Sequence, residues 1–403
     1  MSRRPAGWLI GTAVALTTMY AGQACAAPED PLNLVVGTSL RYEDNLFRLA
    51  PSVDPLVAVG KAQRSDWISS IYAGARLDKS YSLQRFQLDA TVTSNRYDTF
   101  KNLDYNQHEY RAAWLWSLTP RLTGELSSEQ QQFAASYADF RNFTARNIQT
   151  NTIHRANADW LVGGGWHALG GVSETISKNT AAFTAVGDYT LNTTHAGVKY
   201  VSTAENSITV ERRDSRGEYN GRALDPFNVL DNRFKQSETD ATARWRFSGH
   251  SLVIARLGYL ERSHSNFSAR DYSGGVGRLT YVWTPTGKLS FNFVAGHDLY
   301  SFQELGNSYY ALDYFNVTPT WALSPKTTLR LKLDVSHRNF KGPVVPVTVQ
   351  REETIRSAQL SADWAVTRSA TISGFFIAED RSSNVAAFEY RANSAGVTAQ
   401  LKF

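Results

Sequence analysis

Residues 394–403 read SAGVTAQLKF, and alternate residues of this stretch fall into two chemical classes. The odd-numbered positions carry small, aliphatic or aromatic side chains: Ala395, Val397, Ala399, Leu401 and Phe403. The even-numbered positions between them carry polar residues or glycine. Because side chains alternate between the two faces of a β-strand, this order predicts a strand with one apolar face and one polar face.

The same period of two recurs along almost the whole chain. In residues 84–95, QRFQLDATVTSN, the apolar residues Phe86, Leu88 and Val92 alternate with polar ones, and residues 327–338, TTLRLKLDVSHR, show the same order. No convincing amphipathic helix interrupts the series. We count about eighteen such segments, each a predicted strand. They begin near residues 32, 65, 82, 107, 120, 151, 165, 188, 205, 236, 250, 271, 287, 308, 326, 353, 369 and 391.

The connections between the predicted strands alternate in length. Short turns are predicted at 78–81, 118–121, 162–166, 202–205, 248–251, 284–288, 323–327 and 366–369. Longer polar or Gly- and Pro-bearing loops are predicted at 44–64, 97–106, 134–146, 178–187, 214–235, 264–270, 300–307, 340–352 and 380–390. In an antiparallel sheet this order collects the short turns at one end and the long loops at the other. The two ends therefore face different surroundings.

Tryptophan gives a second, independent signal. Eight tryptophans lie within a few residues of a predicted short turn: Trp114, Trp116, Trp160, Trp166, Trp245, Trp283, Trp321 and Trp364. Strands standing side by side would place these side chains in a ring at one height. A membrane–water interface selects such a ring, because indole has an apolar body and a polar N–H.

These patterns predict a closed, all-β, antiparallel transmembrane β-barrel of about eighteen strands. The short turns are expected in the periplasm and the long loops outside the cell. The last strand is expected to close the barrel against the first, with Phe403 at the periplasmic rim as part of an assembly signal. A β-sandwich or jelly roll also alternates, but with shorter strands and without this asymmetry of turns, and a β-helix would show a short repeat.

The first residues resemble an export signal rather than part of the fold. Arg3 and Arg4 precede an apolar stretch from Trp8 to Ala21, and Ala24-Cys25-Ala26 offers a small-residue cleavage site. We therefore expect a signal peptide at residues 1–26 and a single barrel domain at 27–403. A lipoprotein signal using Cys25 is the alternative, although the leucine that such a site favours is missing.

The N-terminal stretch VVGTSLRYEDNLFRLAPS (Val35 to Ser52) contains the heptapeptide YEDNLFR at residues 42–48. Together with the layout of the chain, it resembles the start of the EpsL-type barrel proteins, a family of outer-membrane porins encoded with bacterial exopolysaccharide export systems. The resemblance implies an outer-membrane component of polysaccharide secretion. It brings no catalytic residue with it.

The polar faces of the predicted strands suggest what the lumen would hold. The inward cations, our candidate substrate-binding residues, are Arg85, Arg111, Arg155, Lys199, Arg244, Arg246, Arg256, Arg330 and Lys332. Arginine-lined pores favour anions, so an acidic polysaccharide is the expected cargo. The alternative is that these cations pair with inward acids such as Asp89, Glu125 and Asp363 and simply fill a polar interior.

Other functional classes find little support. The net charge is +5 without any Lys- or Arg-rich block, so no nucleic-acid partner is expected. The eight histidines are scattered without metal spacing, so no metal, cofactor or enzymatic activity is predicted.

We therefore expect an outer-membrane barrel that exports an anionic exopolysaccharide through a polar, Arg-bearing lumen. Its expected partners are outer-membrane lipid, polysaccharide and periplasmic export components. A non-conducting scaffold barrel of the export system and a general small-solute porin are the alternatives.

Overall fold

The computed structural model describes residues 31–139, 144–181 and 187–403. The predicted signal peptide lies outside these residues. Within them, eighteen strands form one antiparallel sheet in which sequence neighbours pair and the last strand pairs with the first. The prediction of a closed antiparallel barrel is confirmed, and each predicted strand begins within three residues of an observed one.

The strands are β1 Leu32–Glu43, β2 Asp66–Tyr81, β3 Gln84–Tyr97, β4 Tyr105–Thr119, β5 Leu122–Ala134, β6 Ile148–Gly163, β7 Trp166–Asn179, β8 Tyr189–Val201, β9 Ser207–Tyr219, β10 Arg233–Ser248, β11 Ser251–His264, β12 Tyr272–Thr286, β13 Leu289–Glu304, β14 Asn307–Ser324, β15 Thr327–Lys341, β16 Glu352–Ala365, β17 Ala370–Ser383 and β18 Tyr390–Lys402. In the described ranges, one short α-helix, α1, spans Pro55–Val59, and 3-10 turns span Lys101–Leu103, Ser268–Arg270 and Ala386–Phe388. Across the described ranges, no helix has the length and apolar character needed to cross a membrane.

Closure of the barrel rests on the ladder between β1 and β18. Val36 pairs with Leu401 and Glu43 with Ser394, and the register is continuous between them. The backbone N–H of Leu34 donates to Phe403 O at 3.0 Å, and Phe403 N–H donates to Leu34 O at 2.9 Å. The alternating C-terminal stretch is therefore the strand that removes both free edges of the sheet.

A side chain also spans this seam. The ring of Tyr72, on β2, lies over Gly37 on β1, where a Cβ atom would collide with it. The Tyr72 hydroxyl donates to Gln400 Oε1 of β18 at 3.0 Å. A glycine at position 37 thus lets one tyrosine bridge three strands.

The outer surface is apolar along the middle of the strands. Leu333, Leu360 and Val397, from β15, β16 and β18, have exposed fractions of 43%, 53% and 57%. Soluble monomers rarely expose a continuous apolar surface of this extent, whereas lipid-facing barrel walls do.

The eight tryptophans named above lie on this outward face beside short turns. Seven of them are between 38% and 54% exposed. The eighth, Trp116, packs over Gly124, where there is no space for a Cβ atom. Their action as an interfacial girdle stays a prediction.

One predicted loop is wrong. Residues 300–307 were expected to form a long loop, but β13 continues to Glu304 and β14 starts at Asn307. Cross-strand pairs such as Tyr300–Tyr310 continue the ladder almost to the turn. The polar residues and Gly306, taken as signs of a loop, instead belong to the end of a long hairpin.

A charge placed on the outer belt should destabilise the barrel. We expect Leu360→Arg to lower the free energy of unfolding by about 2–4 kcal/mol, the cost of a cation facing lipid near the bilayer midplane. Urea-dependent folding into phospholipid vesicles, followed by tryptophan fluorescence, measures this change. Gln359→Arg, one residue away on the inward face, is the matched control. Equal losses in the two variants would contradict the assignment of the two faces.

Candidate functional site

The inner wall of the barrel is the candidate site. Cross-strand register places all nine predicted cations on it, opposite the apolar belt. For example, Arg330 pairs with Ser361 and Lys332 with Gln359, whereas the adjacent Leu333 points outward. Whether these cations bind a solute stays a prediction.

Six of the nine cations have carboxylate partners on the wall. The pairs are Arg85–Asp78, Arg111–Glu125, Arg155–Glu129, Lys199–Asp159, Arg256–Glu238 and Arg330–Asp363. These six cations fill the polar interior together with counterions, as the alternative interpretation supposed. Among the residues that the structure describes, no carboxylate lies within 4.0 Å of Arg244, Arg246 or Lys332. These three are the predicted cations with charge left to attract an anion.

A row of uncharged polar side chains crosses the inner wall between two arginines. The row runs Arg155, Ser173, Thr193, Ser215, Gln236, Arg262, each residue being the cross-strand partner of the next. Adjacent strands lie about 4.8 Å apart, and the hydroxyls of Thr193 and Ser215 are 2.8 Å from each other. Hydroxyl and amide groups both donate and accept, so the row suits a solute with several hydroxyl groups.

The described residues of the connection between β5 and β6, 135–139 and 144–147, include an acid that reaches the opposite side of the lumen. Asp139 forms ion pairs with Arg381 at 2.8 Å and Arg338 at 3.1 Å, on β17 and β15. Ala138 is buried against Tyr390 at the start of β18. Because β5–β6 and β15–β18 lie on well-separated parts of the circumference, the loop crosses the lumen and narrows it.

The loop between β1 and β2, residues 44–65, packs beside it. Phe47 is buried against Phe100 and lies 4.7 Å from the ring of Tyr137 in the β5–β6 loop. Hydrogen bonds join the YEDNLFR stretch to the barrel: Asn45 Nδ2 donates to the carbonyl oxygen of Arg391 at 2.9 Å. Residues 42–48, which carry the family resemblance, therefore hold the β1–β2 loop inside the long-loop end of the barrel. We call this end of the barrel the mouth.

The upper half of the β13–β14 hairpin also leans inward. Toward the long-loop end of the barrel, the ladder between β12 and β13 stops at the pair Gly277–His297. Beyond it, the ring of Tyr309 stacks on Tyr272 of β12 at 4.5 Å, and Leu299 packs against Leu260 of β11. Since Tyr272 and Leu260 are inward residues, the hairpin lies against the inner wall and occupies part of the lumen.

Several inward arginines were missed in the sequence. They are Arg213, Arg262, Arg278, Arg338, Arg351 and Arg381. Most lie in or beside stretches assigned to loops, because the strands run further toward the long-loop end than predicted.

The chemistry of the wall is that of hydrogen bonds and ion pairs. In the ranges that the structure covers, no group of three His, Cys, Asp or Glu residues is arranged to hold a metal ion. Burial alone would raise the pKa of Asp139, but the nearby guanidinium groups of Arg338, Arg381 and Arg351 outweigh it and lower the pKa to about 2. Asp139 therefore stays ionised throughout the physiological range.

Comparisons with known proteins agree with this architecture. Residues 254–403 match the model of a family described as "Putative beta-barrel porin 2". No curated protein sequence matches the chain.

Solved porin structures match over most of the chain. OccK2 (OpdF) of Pseudomonas aeruginosa aligns with a TM-score of 0.53 and 11% identity over 93% of this chain and 98% of its own. OpdK of the same organism, solved with vanillate, aligns at 0.52 and 10% over 92% and 99%. A BenF-like porin from Pseudomonas fluorescens aligns at 0.52 and 10% over 93% and 98%. At this level of identity, the likeness establishes that this chain shares the fold of these structures.

The low pKa of Asp139 predicts how the β5–β6 loop responds to acid. Because the folded-state pKa lies below the ordinary value for Asp, the ion pairs persist down through pH 4 and are lost only as pH approaches about 2. A spin label on Ala145→Cys should therefore stay immobile from pH 7 to pH 3. Electron paramagnetic resonance spectra measure this mobility, with Ser382→Cys on the barrel wall as the control for acid unfolding. Release of the loop label alone near pH 5 would refute the prediction.

Proposed function

We propose that the protein is an outer-membrane porin through which small, hydroxyl-bearing anions diffuse. The observation that carries this proposal is a closed eighteen-stranded barrel whose outer belt is apolar and whose inner wall is polar. A barrel of this circumference leaves room for an aqueous channel. The family match and the porin neighbours support the same class of function.

Preference for anions is supported by the charge of the wall. Arg244, Arg246 and Lys332 face inward without a described carboxylate partner, so their field is not cancelled locally. The hydroxyl row between Arg155 and Arg262 adds groups that can replace the hydration of a polar solute. Solutes that combine a carboxylate with hydroxyl groups fit both features.

A small solute suits this lumen better than the polysaccharide expected from the sequence. Two loops and the β13–β14 hairpin occupy part of the mouth and leave less width for a polymer. Glucuronate and vanillate, the ligands with which OccK2 and OpdK were solved, are both single-ring carboxylates. Export of exopolysaccharide, with periplasmic partners, rests on the resemblance of residues 42–48 and stays a prediction.

Planar bilayer recordings separate these functions. We expect the reconstituted protein to conduct ions, to be anion-selective, and to show brief blockades when glucuronate is added. Long blockades by an acidic polysaccharide, with no response to glucuronate, would instead support the exporter. A protein that inserts but carries no current would contradict both channels and favour a scaffold.

The unpaired cations should set the selectivity. We expect Arg244→Glu/Arg246→Glu to shift the reversal potential in a salt gradient toward cation preference, because two positive charges on the inner wall become negative. Arg391→Glu is the control, since Arg391 is an outward residue whose side chain is 83% exposed. Unchanged selectivity in the double variant would mean that these side chains lie outside the ion path.

A further inference from the structure

Three arginines on the inner wall surround the carboxylate of Asp139. Arg338 lies on β15, Arg381 on β17, and Arg351 directly before β16. Their side chains are at most 6% exposed, whereas Asp139 is 15% exposed. Asp139 therefore occupies the water-facing side of an otherwise buried group of guanidiniums, which we call the arginine cradle.

Among the described residues of the wall, one carboxylate, that of Glu353, lies within 4.0 Å of the cradle arginines. Glu353, on β16, is fully buried, pairs with Arg381 and accepts from Arg351 Nε at 2.6 Å. The second carboxylate is Asp139, which lies 3.7 Å from Arg351 in addition to its contacts with Arg338 and Arg381. One negative charge of the cradle thus belongs to the wall, and the other is delivered across the lumen by a loop.

The cradle retains unused capacity to bind an anion. Among the described residues, the Nη1 and Nη2 atoms of Arg351 and the Nε atoms of Arg338 and Arg381, all buried, have no hydrogen-bond partner. The Arg351 guanidinium instead lies over aromatic rings, with its Cζ 3.4 Å from the centroid of Phe388 and 4.2 Å from that of Phe340. Within 4.0 Å, the three cations contact two described carboxylates when Asp139 is in place. Without Asp139 they would face one, a costly excess of buried positive charge.

We propose that the arginine cradle is a carboxylate-binding site that Asp139 occupies in the ligand-free barrel and from which a solute carboxylate displaces it. The inference rests on the proposed porin function and adds a specific site to it. Guanidinium groups bind carboxylates through paired N–H donors, whatever molecule carries the carboxylate. A solute carboxylate conserves both the charge and the hydrogen bonds of the site when it replaces Asp139.

Displacement would couple binding to the width of the mouth. Asp139 is the charged anchor of the β5–β6 loop on the β15–β17 wall, so its replacement detaches that loop from the wall. An acidic solute thereby releases the contact that narrows the lumen, whereas a neutral sugar of the same size leaves Asp139 bound to the wall. The site then favours carboxylates through loop release as well as through direct contact.

Removal of the competing carboxylate tests the site. Asp139→Asn keeps the shape of the side chain and deletes its charge. We expect glucuronate to bind this variant at least about tenfold more tightly than wild type in calorimetric titrations, as the loss of a charged competitor implies. Glucose should bind neither protein. Asp380→Asn, on the outward face in an ion pair with Arg391, is the matched control and should behave as wild type.

Unchanged glucuronate affinity in correctly folded Asp139→Asn would overturn the proposal and would leave Asp139 as a structural anchor only. Arg381→Gln in the Asp139→Asn background should abolish the gain, and retention of the gain would likewise refute the site. A protein that keeps Asp139 provides a test that depends on no variant at this position. Saturating glucuronate, but not glucose, should mobilise the spin label on Ala145→Cys, and an immobile label would contradict displacement.

Failure of this inference is distinguishable from failure of the porin function. An anion-selective wild-type channel combined with an unaltered Asp139→Asn variant would retain the porin and discard the site. A silent wild-type protein whose Asp139→Asn variant binds glucuronate tightly would support the site and discard the channel.

Discussion

Backbone hydrogen bonding between β1 and β18 is the constraint on which the rest of the structure depends. A sheet with a free edge carries unpaired N–H and C=O groups, and in hydrocarbon each of these costs several kcal/mol. The ladder from Val35–Lys402 to Glu43–Ser394 pairs that edge and closes the sheet. Once the sheet is closed, strand alternation separates an apolar outside from a polar inside, and the candidate solute-binding residues belong to the inside.

The polar inside is subdivided by charge. Paired cations and acids occupy much of the wall, an uncharged hydroxyl row crosses one side, and the arginine cradle lies at the mouth on β15–β17. Two loops and one hairpin reduce the width at that end. In the proposed porin, a wide circumference would thus be combined with chemical selection of small solutes. Selection would arise where the loops meet the wall and not from the strand count.

Period-two alternation was sufficient to predict the fold. Each strand needs only local information, so segments such as 84–95 and 327–338 predicted β3 and β15 directly. The nine lumen cations were placed on the inward face by the same rule. The rule failed at 300–307, where residues with loop-like composition continue as a paired hairpin.

The inward folding of the loops could not be predicted from period-two alternation. Asp139 and Arg381 lie 242 positions apart, and no periodic signal links an acid in a polar loop to a particular arginine on a distant strand. The same limit hid the cradle, since Arg351 and Arg381 fell within stretches assigned to loops. Ion pairs between residues far apart in sequence can be identified only when the positions of the strands around the barrel are known.

The bridge formed by Tyr72 has a consequence for how the barrel resists unzipping. Lateral separation of β18 from β1 breaks the backbone ladder and also breaks the hydrogen bond from the Tyr72 hydroxyl to Gln400, while the Tyr72 ring stays over Gly37. The seam is thus fastened by a side chain that belongs to neither of its two strands. Amide protons of β1 should consequently exchange with deuterium as slowly as those of the other strands. We expect this although the β1–β18 pair joins the two ends of the chain.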